Sequence, residues 1–342
     1  MVSAGPRSVR VVDLPDPVLE VDDDAIVRVT RAGICGSDMH FFHGKAPVDP
    51  GEGLGHEAVG VVEAVGPSVG RVAVGDRVVV AFTVACGACW FCERGETGLC
   101  EEAAVFGSGL FGGALPGAQA ERLRVPHADV NLLRVPDGVD DDRALFAGDV
   151  GATAVYAVTL AAPAPGDTVA VVGAGPVGLL TAQALRSTGA RVVVLDRDAS
   201  RLALAEAAGA TPVHVDERHP QMAVAEATGD RGADVAIDAV GAPEAFETAV
   251  AVARRGGAVV VAGVYAGETV DLQLGAYWTR GLDVRFAGVC PVHAHWERTI
   301  AAIADGTLDP APLVTHRLPL ADAADGYELF ARREATKVLL VP

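Results

Sequence analysis

Up to about residue 145 the apolar positions fall in short runs, each broken by Gly, Pro or Asp. Ala25–Val29, Ala58–Glu63 and Asp76–Val80 are examples. Such runs predict the short strands of a compact, irregular β domain. From Asp167 the rhythm changes. Thr168–Val172 is continuously apolar enough for a buried strand, and a glycine-rich turn and a helix from Pro176 to about Ser187 follow it. Further strands are predicted at Arg191–Leu195 (ending at Asp196), Val213–Val215, Asp234–Ile237, Ala258–Ala262 and Asp283–Ala287. Helical patterns separate most of them, notably Ala199–Ala208 and Pro243–Arg254. This alternation predicts βαβ units and a six-stranded, doubly wound parallel sheet. Beyond Cys290 the pattern predicts one helix, Trp296–Ile303, and a terminal strand, Lys337–Val341, returning to the first domain. No internal repeat is visible.

The length of 342 residues suits about two domains, and 50% apolar residues can fill sizeable cores. The net charge of −18 argues against non-specific nucleic-acid binding. Lys45 and Lys337 are the only lysines, so Arg carries nearly all the positive charge. No run of 18 or more apolar residues suggests a membrane span, and Met1–Arg7 lacks the apolar core of a signal peptide. A cytoplasmic, reducing location is therefore expected. There, a tight cysteine cluster reads as metal-binding before it reads as disulfides.

The turn after Thr168–Val172 is Gly173-Ala174-Gly175-Pro176-Val177-Gly178. Gly173 permits a tight turn, Gly175 a close backbone approach to a pyrophosphate, and Gly178 close helix–sheet packing. The helix start then offers free N–H groups and the positive end of its dipole to phosphates. Asp196 follows at the end of the next strand, about where a ribose-binding acid is expected. A carboxylate there repels a 2′-phosphate and favours NAD over NADP, though Arg197 beside it works in the opposite sense. A flavin-binding or purely structural fold of the same kind is the alternative.

Cys86, Cys89, Cys92 and Cys100 form a C-x2-C-x2-C-x7-C run. Four thiols so spaced can close around one tetrahedral zinc. A ferredoxin-type run would end C-x3-C-P, and a redox CxxC needs only two thiols. A catalytic zinc keeps one position open. Its candidate ligands are Cys35 in Gly33–Asp38, His56 in Gly55-His56-Glu57, and an acid. Taken alone, Cys35 reads more readily as a buried thiol, and His56 as a solvated imidazole, than either does as a ligand.

Gly33–Asp38, Gly55–Glu57, the four-Cys lobe and Gly173–Gly178 occur in the order of the zinc-containing medium-chain alcohol dehydrogenases, and the resemblance covers nearly the whole chain. Gly112–Glu121 and Thr315–Leu320 resemble the bacterial formaldehyde-dehydrogenase-like branch, with polyol and threonine dehydrogenases as near relatives. The resemblance implies a fold of two parts. An irregular, β-barrel-like (chaperonin-10-like) catalytic domain would span 1–147 and 289–342, with a structural zinc lobe at 86–100. A doubly wound parallel-sheet Rossmann domain would span 148–288.

It also implies site residues. Cys35, His56 and Asp149 would hold the catalytic zinc, with Glu57 beside the metal and able to enter its coordination. Cys86, Cys89, Cys92 and Cys100 would hold the structural zinc. Asp38 would orient the ligand His56, Ser37 would relay the alcohol proton, and His40 would be a later relay station. Thr153 would lie near the nicotinamide and Arg201 near the adenosine ribose. Lys337 would lie by the cofactor phosphates and Glu57. Gly173, Gly175, Pro176, Val177, Gly178, Asp196, Arg197, Val240 and Gly263 complete the expected cofactor contacts.

The implied reaction is hydride transfer between an alcohol, or the corresponding aldehyde or ketone, and NAD(H). Its partners would be a small-molecule substrate and further copies of the chain in a homodimer or homotetramer, with no nucleic acid or membrane. The competing readings are a non-catalytic zinc and dinucleotide sensor and a zinc-free quinone reductase. The retained Cys35, His56, Asp149 and Ser37 argue against both. Cys290 reads as a core thiol, His293 and His295 as loop residues more readily than as an H-x-H metal chelate, and Asp22–Asp24 and Asp140–Asp142 as solvated turns or helix caps. Trp90 and Phe91 read as local packing or a subunit contact.

Overall fold

A computed structural model describes residues 1–107, 113–267 and 269–342. Gly112, the first residue of the Gly112–Glu121 motif, lies outside them. The chain divides into two compact units, Met1–Ala152 with Val289–Pro342, and Thr153–Gly288.

The first unit is built on a seven-stranded sheet. Its order is Leu132–Arg134, Arg77–Val80, Glu57–Val65, Ala25–Ile34, Lys337–Val341 and Val314–Pro319, and Arg122–Val125 pairs the first half of Ala25–Ile34. The C-terminal strand does return to this unit. It runs antiparallel to Ala25–Ile34, with Leu339 opposite Gly33, and parallel to Val314–Pro319. Ala25–Ile34 has sheet neighbours on both sides along most of its length, and seven of its ten residues are buried, Arg28, Thr30 and Arg31 being the exceptions. Its register with the next strand sets Gly33 opposite Glu57. Phe106, Phe146, Leu123 and Tyr327 are among the largest fully buried side chains of this unit.

The two aspartate runs are solvated turn and helix cap only in part: Asp22 is exposed in a turn with Asp23, whereas Asp24, Asp141 and Asp142 are engaged by the fold. Asp24 is fully buried, accepts the Glu20 and Val21 N–H groups, and pairs with Arg124 at 3.1 Å. Asp140 does cap the short helix Asp141–Ala144 by accepting from Arg143 N–H. Asp141 holds Arg77 and the Thr30 hydroxyl, and Asp142 holds Arg31 and Arg317. The chain there is stapled to the strand that leads to Cys35.

The second unit is a six-stranded, all-parallel sheet ordered Thr211–His214, Arg191–Asp196, Thr168–Val172, Ala233–Asp238, Ala253–Val261 and Asp283–Phe286. Helices cover its strands, and their apolar faces form one core with Val172, Leu195, Val224, Phe246 and Val259. Central strands are buried on both faces, which is why Thr168–Val172 reads as an unbroken apolar run. The helix predicted to reach Arg254 stops at Val252, and the chain enters the next strand at Ala253. Among the described residues no single helix is long and apolar enough to cross a membrane.

Candidate active site and metal centres

Three elements of the first unit deliver three donors to one point. Cys35 follows the Ala25–Ile34 strand, His56 immediately precedes Glu57–Val65, and Asp149 precedes the helix Val150–Ala161. Asp149 Oδ2 lies 3.5 Å from Cys35 Sγ and 3.2 Å from His56 Nε2. The three ligand atoms lie within 4.8 Å of one another. A tetrahedral zinc with bonds of 2.0–2.3 Å separates its ligands by roughly 3.3–3.8 Å, so the donor set fits that ion.

The electrostatics agree. Burial and the charges of Asp149 and Glu57 push the Cys35 thiol up. Burial alone would lower His56, but Asp38 and Asp149 on opposite ring edges raise it well above its ordinary value. Burial would raise the Asp149 carboxyl, yet His56 and Lys337 hold it below the usual carboxylate range. Two carboxylates and a thiol thus crowd one imidazole, an arrangement that a divalent cation relieves.

Around this centre, Ser37 Oγ lies 3.3 Å from His56 Nε2. Asp38 Oδ1 lies 3.2 Å from His56 Nδ1, and Asp38 Oδ2 accepts the Cys35 N–H at 2.9 Å. Glu57 stands outside the three-donor group. Its Oε2 takes the Lys337 ammonium in a wholly buried ion pair, and its Oε1 is buried with no hydrogen-bond partner. Gly33 makes room for this pair, since a Cβ there would stand 2.1 Å from Glu57 Oε2. Lys337 is fully buried against Glu57 and the Phe146 ring. His40 sits in the short helix Asp38–Phe42.

The four cysteines of the second cluster also bring their sulfurs within 4.8 Å of one another. Cys86 and Cys92 Sγ are 4.0 Å apart, and Cys89 and Cys100 Sγ 3.9 Å. Both match the roughly 3.8 Å edge of a tetrahedron with 2.3 Å Zn–S bonds. Main-chain N–H groups of Cys86, Cys89 and Glu102 point at sulfurs of the cluster. Such donors favour thiolate; at Cys89 it is backbone hydrogen bonds from Glu101 and Cys92 that hold the thiol at about 6, while burial pushes Cys92 to about 12. Trp90 and Phe91 pack edge to face at 5.1 Å, with Arg94 stacked on Trp90. His293 is not a simple loop residue. It bridges Thr97 Oγ1 at 2.9 Å and Asn131 Oδ1 at 2.8 Å, and Asn131 in turn grips both backbone polar groups of Ala85, next to Cys86. Cys290 is buried, as expected of a core thiol.

In the second unit, Gly173 has φ +100 and Gly178 meets it so closely that a Cβ would lie 1.9 Å from Gly173 O. At Gly175 an added Cβ meets nothing within 4 Å, so space is open before the helix Pro176–Leu185. That is the cradle a pyrophosphate requires. Asp196 ends its strand with its carboxylate accepting the N–H groups of Ala174, Arg197 and Asp198. Arg197 is exposed, and Arg201 lies in the helix Ala199–Ala207, 3.7 Å from Asp198. Thr153 lies in the first turn of Val150–Ala161. Val240 is half exposed just past Ala233–Asp238, and Gly263 packs against Gly241.

Residues 21–137 match the alcohol dehydrogenase GroES-like domain, and residues 176–305 match the zinc-binding dehydrogenase domain. A probable zinc-binding alcohol dehydrogenase of Mycobacterium tuberculosis is 40% identical over 96% of this chain and 84% of its own length. The chain belongs to the zinc-binding alcohol dehydrogenase family. This dehydrogenase is also 42% identical to the solved alcohol dehydrogenase TADH of Thermus sp. ATN1, with a TM-score of 0.94 over 99% of this chain and 98% of that one. An Escherichia coli CFT073 alcohol dehydrogenase solved with NADH is 29% identical, with a TM-score of 0.87 over 100% and 98% of the two chains. The family is one of zinc-dependent, NAD(P)-linked oxidoreductases of small alcohols, in line with the expected fold and chemistry.

The Gly112–Glu121 motif contains Gln119 but assigns it no role, although its side chain touches Asp38 at 3.3 Å, and no motif includes Tyr327 behind it. Only the general rule that a ligand histidine needs an anchored carboxylate would have prompted a search for such residues.

Proposed function

We propose that this dehydrogenase oxidises a small alcohol with NAD, and reduces the corresponding carbonyl in reverse, at a zinc held by Cys35, His56 and Asp149. The observation that carries this reading is the convergence of a thiolate, an imidazole nitrogen and a carboxylate oxygen at tetrahedral-edge distances. A bound zinc supplies a Lewis acid for the substrate oxygen, and the nicotinamide supplies the hydride acceptor. Ser37 Oγ takes the alcohol proton and passes it toward His40. Asp38 holds His56 in the tautomer that presents Nε2 to the metal. Glu57, restrained by Lys337, keeps a second carboxylate beside the site with Oε1 uncommitted, and it is the candidate for entering the coordination.

Cys86, Cys89, Cys92 and Cys100 hold a second, structural zinc. It stiffens a lobe with little apolar core of its own. Gly173 to Gly178 cradle the dinucleotide pyrophosphate, and Asp196, with Arg197 and Arg201 nearby, faces the adenosine ribose. Thr153, Val240 and Gly263 complete the cofactor contacts; Lys337, expected among them, is instead wholly buried against Glu57. The Asp196 carboxylate favours NAD.

The subunit associates with copies of itself. Its edge strand Asp283–Phe286 is open, and Phe286, Trp278 and Leu274 are all more than 60% exposed nearby, which is an unusual liability for a monomer. None of the six cysteines is in a disulfide, which suits a reducing cytoplasm.

The test is an NAD-coupled screen over short primary and secondary alcohols, polyols and 3-hydroxy amino acids, with metal content measured alongside. At least one class should give NADH formation. Cys35→Ser should abolish it while the protein stays folded and keeps one zinc. A Cys35→Ser protein with near-normal turnover removes Cys35 from the metal, and the proposal with it.

A further inference from the structure

Behind Asp38 lie two buried polar side chains, Gln119 and Tyr327, that the chemistry above does not use. Gln119 and Tyr327 are completely buried, and Asp38 almost so. Gln119 Nε2 lies 2.9 Å from the Gly33 carbonyl and 3.3 Å from Asp38 Oδ2, and the Tyr327 hydroxyl lies 3.0 Å from Gln119 Oε1. Asp38 Oδ2 also receives the Cys35 N–H, while Oδ1 faces His56 Nδ1. The main chain on either side of Gln119 grips the residues just before His56. Ala118 N–H donates to Gly55 O at 2.8 Å and Gln119 N–H to Leu54 O at 3.2 Å.

Each link in this line has one workable polarity. The Gly33 carbonyl can only accept, so Gln119 must turn its NH2 toward Gly33 and Asp38. Its carbonyl then faces Tyr327, whose hydroxyl donates. Asp38 Oδ2 therefore meets two donors, the Gln119 amide and the Cys35 N–H. Oδ1 accepts the His56 Nδ1–H. The lone pair of His56 is left on Nε2, the nitrogen that faces Cys35 and Asp149.

We propose that Gln119, backed by Tyr327, is a positioning residue for the catalytic zinc. It fixes the tautomer and the ring plane of His56 through Asp38, and it clamps the chain that carries both His56 and Cys35. The proposal rests on the reading of Cys35, His56 and Asp149 as ligands of that zinc.

The experiment compares zinc-loaded wild type, Gln119→Met and Tyr327→Phe. Gln119→Met keeps the side-chain volume and loses the amide. Tyr327→Phe keeps the ring and loses the donor, and it provides the answer should Gln119→Met fail to fold. Zinc release to a chelator is followed with a metal indicator, and the four-Cys site serves as an internal reference. The visible spectrum is recorded with Co2+ in place of the Cys35 zinc. Gln119→Met should release one zinc equivalent about 10–100-fold faster than wild type, shift the cobalt bands, and leave the second equivalent unchanged. Tyr327→Phe should act in the same direction by about threefold. Wild-type release rates and spectra in the variants overturn the proposal. So does equal acceleration at both zinc sites, which marks a general loosening of the unit. A wild-type protein that holds only the four-Cys zinc defeats instead the reading of the ligand set, and the proposal falls with it.

Discussion

His293 links the ends of the four-Cys lobe through Thr97 and Asn131, and its titration makes that link sensitive to acid. Asn131 donates its amide to three carbonyls, so its Oδ1 must accept; His293 therefore carries its proton on Nε2 and accepts from Thr97 at Nδ1. Burial holds the folded imidazole at about 4 against 6.5 in an open chain. As pH falls, the unfolded chain binds the proton first. The stabilising contribution is complete above about 6.5 and is lost progressively as pH drops toward 4. Between pH 7 and pH 5 the full shift costs about 2 kcal/mol. The ring is partly exposed, so screening reduces this to about 1.5 kcal/mol, or roughly 3–6 °C in Tm for a unit of this size. His293→Gln keeps a donor toward Asn131 but does not titrate. Denaturant melts of both proteins, zinc-loaded, at pH 7 and pH 5 isolate the effect, since the other acid-labile groups are common to both. The wild type should lose about 1.5 kcal/mol more than the variant over that interval. Parallel losses would refute the argument that His293 is held neutral by burial.

Three other outcomes are expected. Cys92→Ser should reduce zinc from two equivalents to one and lower Tm, and an unchanged metal count and melt would remove the structural site. Asp196→Ala should raise the Kd for NAD more than that for NADP; equal changes would show that the carboxylate does not discriminate. Gly33→Ala should destabilise the first unit by about 3 kcal/mol, because its Cβ drives into the buried Glu57–Lys337 pair. A wild-type Tm and zinc content in that variant would mean that the strand yields without cost.

Much of the molecule was legible along the chain itself. The glycine fingerprint, the four-Cys run and the alternation of strand and helix after Asp167 are patterns in which neighbours in sequence are neighbours in space. Local sterics and hydrogen bonding therefore suffice to read them: the strand Thr168–Val172 and the turn into Pro176–Leu185 follow from five and six residues. The candidate ligands Cys35 and His56 could be nominated from their local motifs, while Asp149 is reached only through the resemblance to the family.

What those residues meet is decided by tertiary structure, and before it only the resemblance to the family could suggest that Cys35 joins Asp149 and Lys337 joins Glu57. Cys35 reaches Asp149, Glu57 reaches Lys337, and Tyr327 reaches Gln119 only because sheet order and register bring distant strands together. A hydrophobic pattern specifies which face of a strand is buried, and it does not specify which other strand lies alongside. For the same reason Asp24 and His293 read as surface residues in the sequence and are engaged in the fold. A polar side chain goes inside when partners from elsewhere satisfy it, and those partners are set by the packing of the whole unit.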